Sequence, residues 1–426
     1  MRALSASKKQ NNMARKVLIS FLGTGPRGDN DLAQRQYREA TYRFQDQENG
    51  EESLSTRFVA RAVTKHFGID NLIIIGTVKS MWEEVYHSFA QERGVLDEDV
   101  WFQIDEACHD ATPDSPLLIP CQEEIEQAIG GDTHLIPIRY GLTEQEIDEN
   151  SAIILGVEQF LQPDDEIYVD VTHSFRSLPI MLMNTLIYLQ NVSSKRLKIK
   201  HILYGMLEMQ SELGYAPVVE LGSIMRMNEW ITAAYAFSEF GNAYQLAELM
   251  EQSGDGSTAG VLKSFSDMMN LNYLARIKNM AGRLRAIDIG EIHDPFALMI
   301  LPPVINSFTK SFNPRHRLSR FQYELADWQF EHCNYCASYL TLQEALITLV
   351  CEHNGFDPLK KDERDKVKDA FLGKIFGVRY PDVVKKVYFK INGTRNDLVH
   401  SRISSKKKGN PVTQLEKALK EVKGIF

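Results

Sequence analysis

The stretch KVLISFLGTGPRG (residues 16–28) opens as a short apolar run containing valine and isoleucine and closes in glycines. A strand buried on both faces of a parallel sheet takes this form, because helices cover both sides and no polar alternation is needed. NLIIIGT (71–77) is a second such run, and the spacing of Met81, Val85, Ser88 and Phe89 predicts a helix behind it. VWFQI (100–104), THLIPIRY (133–140), DEIYVDVT (165–172) and LKIKHILYG (197–205) read as further strands, with helical stretches at 121–130, 143–161 and 175–191. The alternation predicts an α/β Rossmann-like domain over 14–222, with a mostly parallel sheet and helices on both faces. Ligands of such sheets sit beyond the carboxyl ends of the strands, near the point where strand order reverses.

After Leu221 the rhythm changes to helical periodicity. Candidate helices cover 224–251, 260–286, 295–312, 320–353, 360–376 and 381–391, with more after Gly393. Breakers stand at 253–260, at Pro302-Pro303, at Asn354-Gly355 and at Gly377. The expected organisation is a tail or expression remnant over 1–13, the α/β domain over 14–222, a helical linker region over 223–320 and an all-α domain over 321–426.

The chain has 426 residues, 43% of them hydrophobic and 25% charged, which excludes a disordered or disulfide-stapled chain. Five cysteines, odd in number, suggest a reducing compartment. No apolar stretch reaches the length of a membrane span and the polar start is no signal peptide, so a cytoplasmic location without membrane contact is expected. The formal net charge is −9, yet residues 360–426 carry 18 Lys and Arg against 8 Asp and Glu. A basic end on an acidic body suits a polyanionic partner.

Three loops at predicted strand ends have phosphate-binding chemistry. Gly23-Thr24-Gly25-Pro26-Arg27-Gly28 matches G-x-G-x-x-G, but Pro26 and the polar residues behind it do not open a helix, so a dinucleotide fingerprint is rejected. What remains is a glycine loop with bare N–H groups and a hydroxyl, able to cradle phosphate. Gly76-Thr77-Val78-Lys79-Ser80-Met81-Trp82 repeats the design, and Trp82 is either core or a base-stacking ring. In Asp170-Val171-Thr172-His173-Ser174-Phe175-Arg176-Ser177, Thr172 or Ser174 can cap the following helix. Arg176 in a first turn opposes the helix dipole unless it faces an anion. Three such loops on one sheet edge point to a nucleotide or small oligonucleotide.

In the basic segment, Arg395, Asn396 and His400 form R-N-x3-H. A histidine can move the protons of RNA cleavage, and an arginine can stabilise the pentacovalent phosphate. Residues five apart stand about 140° apart on a helix, so one chain offers part of a site and two chains could complete it. The same spacing at Arg61/His66 and Arg196/His201 falls in the α/β half and is read as structural. His332-Cys333-Asn334-Tyr335-Cys336, with Cys351 and His353, has a zinc-like spacing. Because 320–353 reads as one unbroken helix with no Gly or Pro to turn it, buried thiols and no metal are expected.

VLISFLGTG (17–25), IIIGTVKSMW (73–82) and YVDVTHSFRSLP (168–179), together with Arg395-Asn396-x3-His400, resemble a CRISPR-associated accessory ribonuclease of the CARF–HEPN kind, found with type III systems. The resemblance runs over nearly the whole chain from Met13. It implies a homodimer, with further oligomerisation left open, in which paired CARF domains bind cyclic oligoadenylate. Cyclic tetra-adenylate is expected ahead of cyclic hexa-adenylate. Gly23, Thr24, Gly25, Gly76, Thr77, Ser80, Thr172, His173, Ser174 and Arg176 would line the activator site. Arg395 and His400 of paired HEPN domains, supported by Asn396, would cut single-stranded RNA to 2′,3′-cyclic phosphate and 5′-hydroxyl ends without metal, in antiviral defence. The alternative is a non-catalytic nucleotide-sensing regulator whose helical half binds nucleic acid or a protein partner.

Overall fold

The structure, a computed structural model, describes residues 14–25, 39–46, 50–173, 177–288, 290, 292–400 and 409–426. It divides into two compact units at Met225/Arg226.

The first unit is built on an eight-stranded sheet: β1 (Lys16–Leu22), β2 (Ala40–Asp46), β3 (Gly50–Thr56), β4 (Asn71–Thr77), β5 (His134–Ile138), β6 (Glu166–Asp170), β7 (Lys198–Gly205) and β8 (Ala216–Glu220). Their order is β3-β2-β8-β7-β6-β1-β4-β5, and the run from β7 to β5 is parallel throughout. Alternate residues of β1 serve opposite layers: Leu18 and Leu22 join one apolar cluster, Val17, Ile19 and Phe21 the other. This two-sided burial is why the central strands read as continuous apolar runs. The helices are α1 (Val59–Phe67), α2 (Trp82–Arg93), α3 (Glu98–Asp110), α4 (Gln122–Ile129), α5 (Glu144–Leu155), α6 (Leu178–Asn191) and the short α7 (Gln210–Leu213).

The α/β expectation holds, with two corrections. Residues 100–104 are not a strand but part of α3, because Asp97 caps that helix by accepting from the N–H groups of Asp99 and Val100. Only Ile104 and Cys108 of α3, one turn apart, are buried, and Phe102 is 61% exposed. The antiparallel hairpin β2/β3 and the strand β8, antiparallel to β7, were not expected. In the hairpin Tyr42 and Phe44 point inward while β3 is largely polar, so no continuous apolar run announces it.

The second unit is helical. It opens within α8 (Gly222–Phe240) and continues through α9 (Tyr244–Gln252), α10 (Gly256–Asn270), α11 (Leu274–Arg285), α12 (Pro295–Ser311), α13 (Leu318–Glu331), α14 (Tyr335–His353), α15 (Lys361–Phe371), α16 (Asp382–Val399) and α17 (Pro411–Val422). One apolar cluster gathers Phe237, Phe265, Phe308 and Trp328; another gathers Leu346, Val387, Ile391, Leu415 and Leu419. Pro302-Pro303 does not break α12. Prolines cost a helix the bonds to carbonyls four residues back, and here those belong to exposed Leu298 and Met299, which water can reach.

The single helix expected over 320–353 is two helices. The chain turns at His332-Cys333-Asn334, where Cys333 takes a left-handed φ of 59° and the Asn334 side chain caps α14 by accepting from Ala337 N–H. Cys333 and Cys336 are consequently exposed, against the expectation of buried thiols, and only Cys351 of this group is buried. Among the described residues no three His, Cys, Asp or Glu side chains gather as a metal ion would need. Nor is any described helix long and apolar enough to cross a membrane.

Candidate functional site

Within the parallel run, β4 and β5 lie on one side of β1, and the chain then returns to β6 on the other. Strand order therefore reverses between β1 and β6, the place beyond whose strand ends sheets of this kind bind their ligands. Gly23-Thr24-Gly25 follow β1, Gly76-Thr77 end β4, and Thr172-His173 follow β6, so the fold brings these three loops to one edge. Ser174 and Arg176 lie outside the described residues.

The hydroxyls of the β4 loop are committed to the protein itself. Ser80 Oγ donates to Leu22 O at 2.8 Å and accepts from Thr77 N–H at 2.9 Å, and both residues are fully buried. Met81 N–H donates to Gly23 O at 3.1 Å. Thr77 and Ser80 thus lock the β1 and β4 loops together rather than facing a ligand. Trp82 is core: its ring is fully buried and Nε1 donates to Thr77 O at 2.9 Å. A Cβ on Gly76 would lie 3.0 Å from Ser80 Oγ and from the Trp82 ring. Gly25 has φ +69°, and a Cβ there would overlap Met81 Sδ, so both backbone conformation and space demand glycine.

On the neighbouring strand, Asp170 is fully buried at the end of β6. Its carboxylate accepts from Ser20 Oγ at 2.7 Å and from Thr172 N–H at 3.0 Å. Thr172 Oγ1 accepts from Gly205 N–H at 2.8 Å and does not cap α6, whose N-cap is Ser177 without a side-chain bond. The His173 ring stacks on Phe58 with centroids 6.3 Å apart. Burial strips hydration from its imidazolium and pulls its pKa down, with Asp170 pulling weakly the other way. The Tyr42 phenol is pushed up by burial and then by Asp170. Ser20, Tyr42 and Phe58 are the surroundings that sequence reading missed. The alternation of Tyr42 and Phe44 was the one available signal for the hairpin.

In the second unit, α16 carries Arg395, Asn396 and His400. Asn396 is tied to both partners: its Oδ1 accepts from Arg395 Nη1 at 3.2 Å, and its backbone O accepts from His400 N–H at 3.1 Å. His400 ends the helix with an exposed side chain. Arg395 is half-buried, with Nε enclosed and without a hydrogen-bond partner among the described residues. Burial raises the Tyr388 pKa and the nearby Arg395 charge opposes it. One chain therefore holds guanidinium and imidazole on adjacent turns without facing them across a shared cleft. The other two R-x4-H pairs are built into the α/β unit: His66 Nδ1 lies 2.5 Å from Glu52 Oε2 and His201 Nδ1 2.7 Å from Glu220 Oε2.

Comparison with known proteins matches the first unit and the beginning of the second. The family model "CRISPR system endoribonuclease Csx1, CARF domain" matches residues 17–208, and "CRISPR-associated protein MJ1674, second domain" matches residues 226–316. The CRISPR-associated protein MJ1674 of Methanocaldococcus jannaschii is 31% identical over 432 residues, covering 96% of this chain. The chain spans 66% of that relative's length. Among solved structures, Enterococcus italicus Csm6 bound to cyclic hexa-2′-fluoro-hexa-dAMP aligns over 97% of this chain and 94% of its own, with 11% identity and a TM-score of 0.37. By the two domain matches and the 31% identical relative, the chain belongs to the CRISPR-associated CARF accessory proteins of type III systems.

Proposed function

We propose that the chain is a cytoplasmic endoribonuclease of type III CRISPR antiviral defence, switched on by a cyclic oligoadenylate and needing no metal. The observation that carries the reading is Asn396 joined to both Arg395 and His400 at the basic end of a chain whose first half is a CARF domain. The sheet edge between the β1 and β6 loops takes the activator, with cyclic tetra-adenylate expected first. Gly23, Thr24 and Gly25 supply backbone N–H groups, Thr172 and His173 the opposite wall, and Ser174 and Arg176 further anion contacts. Thr77, Ser80 and Gly76 set the loop that carries them.

The helical half acts as a HEPN-type nuclease in a homodimer. One His400 accepts the proton of an RNA 2′-hydroxyl, whose oxygen attacks phosphorus as the bond to the 5′ oxygen breaks. The partner subunit's His400 returns a proton to that leaving oxygen, and the Arg395 guanidinium offsets the added phosphate charge. The ends produced are a 2′,3′-cyclic phosphate and a 5′-hydroxyl.

The test is cleavage of a fluorescent single-stranded RNA in EDTA, with cyclic oligoadenylates of different ring size added singly. One ring size should switch cutting on, and EDTA should leave the rate unchanged. Binding of a ring without cutting would favour the regulator over the nuclease.

The activator site also makes a pH prediction. His173 is held neutral in the free protein. A phosphate entering beside it favours the imidazolium and raises its pKa, so binding takes up a proton and tightens as pH falls. Asp170 is the charged group that acts on it, and Tyr42 in turn faces Asp170. Calorimetry at pH 7 in two buffers of different ionisation enthalpy should show net proton uptake in the wild type and none in His173→Gln. Equal uptake in both would remove His173 from the site.

A further inference from the structure

Little in the local sequence of α16 fixes its last turns. Gly393 lies inside the helix, where glycine costs about 1 kcal/mol relative to alanine. Three side-chain amides supply what the helix lacks.

Gln414 of α17 grips α16 at two points one turn apart. Its Nε2 donates to Lys390 O at 2.7 Å, while its Oε1 accepts from Thr394 Oγ1 at 2.9 Å. A threonine inside a helix ordinarily turns its hydroxyl back onto the carbonyl four residues earlier, which for Thr394 is Lys390 O. Here the Gln414 amide has inserted itself into that bond, satisfying donor and acceptor at once. The phenol of Tyr339 on α14 shares its hydrogen between Pro411 O at 2.7 Å and the same Oε1 at 3.1 Å. Tyr339 is 1% exposed, and burial pushes its phenol up to about 12, so it stays a donor at working pH. Two residues earlier on α16, Asn392 Oδ1 accepts from Gln343 Nε2 of α14 at 2.8 Å. Thr394 and Asn392 thus anchor the turn that immediately precedes Arg395.

We infer that the Tyr339–Gln414–Thr394 relay positions the nuclease turn, fixing the rotation of α16 about its own axis so that Arg395 meets the scissile phosphate. This rests on the nuclease reading above. Thr394, Gln414 and Tyr339 are positioning residues and touch no substrate. A misplacement of about 1 Å can cost about 100-fold in rate, so a polar clamp one residue from the guanidinium has large leverage.

The test compares wild type, Thr394→Val, which keeps the shape and loses the hydroxyl, and Thr394→Ser, which restores it, in the full-length chain saturated with activator. Thr394→Val should lower kcat about 10- to 100-fold, with KM for RNA and activator affinity within about twofold, while Thr394→Ser recovers the rate. Hydrogen exchange supplies a readout independent of activity: amides of residues 395–400 should exchange faster in Thr394→Val only. A Thr394→Val enzyme with the wild-type kcat overturns the inference, whether or not exchange has changed. A loss of kcat that Thr394→Ser does not restore overturns it as well. A wild type that cuts no RNA under any activator instead brings down the nuclease reading, and the catalytic purpose of the relay with it.

Discussion

A chain carrying His400→Ala is expected to lose RNA cleavage by about 10²- to 10⁴-fold, the usual contribution of a positioned acid or base. Its binding of the activator and its melting temperature should not move. The structure explains why these separate. The His400 side chain is exposed at the end of α16, and the bond that holds the residue is its backbone N–H to Asn396 O, which alanine keeps. Exposed substitutions of this kind usually change stability by no more than about 0.5 kcal/mol. The measurement is single-turnover cleavage at saturating activator beside a binding isotherm. A variant that cuts at the wild-type rate would take the chemistry away from α16 altogether.

Gly25→Ala should produce the second large effect, this time on the first unit. Two costs add. At φ +69° a Cβ meets the backbone clash that disfavours left-handed residues, about 1–2 kcal/mol. The new methyl must also displace Met81 Sδ from a fully buried position, and overpacking of that kind costs about 1–3 kcal/mol. For a unit of this size the sum lowers the melting temperature by about 4–20 °C. Activator affinity should fall at least about tenfold, since the loop that presents N–H groups shifts. Met81→Ala frees the space but not the dihedral, so in a double-mutant cycle the pair should be less destabilised than the sum of the singles. An additive cycle, or a Gly25→Ala chain that binds cyclic tetra-adenylate like the wild type, would refute the crowding argument.

What could be read in advance follows from where each signal resides. β1, β4 and β6 are central and buried on both faces, so their apolar runs are local and visible, and with them the three loops at their ends. The hairpin β2/β3 hides its inward face behind alternation with polar residues. The run at 100–104 looked extended because Val, Trp, Phe and Ile favour strands, whereas Asp97 and the acidic first turn decided for a helix. The break at 332–334 needed a cysteine in a left-handed conformation, which composition does not advertise. At the sheet edge, the three loops and the strands they follow were legible. The fate of the hydroxyls was not: Thr77 and Ser80 carry the expected chemistry but spend it on Leu22 and each other. Nor could Gly25 be connected with Met81 before the fold set them in contact.

The hydrogen bonds of Ser80 have a mechanical consequence. They weld the β1 loop to β4, as Thr172 joins the β6 loop to the end of β7. The edge of the sheet is thereby divided into two stiff lips. Between them the hydrogen bond from Ser20 Oγ to the Asp170 carboxylate ties β1 to β6. A displacement of either lip would therefore be passed across the β1/β6 pairing to the other, so β6 and β7, not a single loop, would take it up.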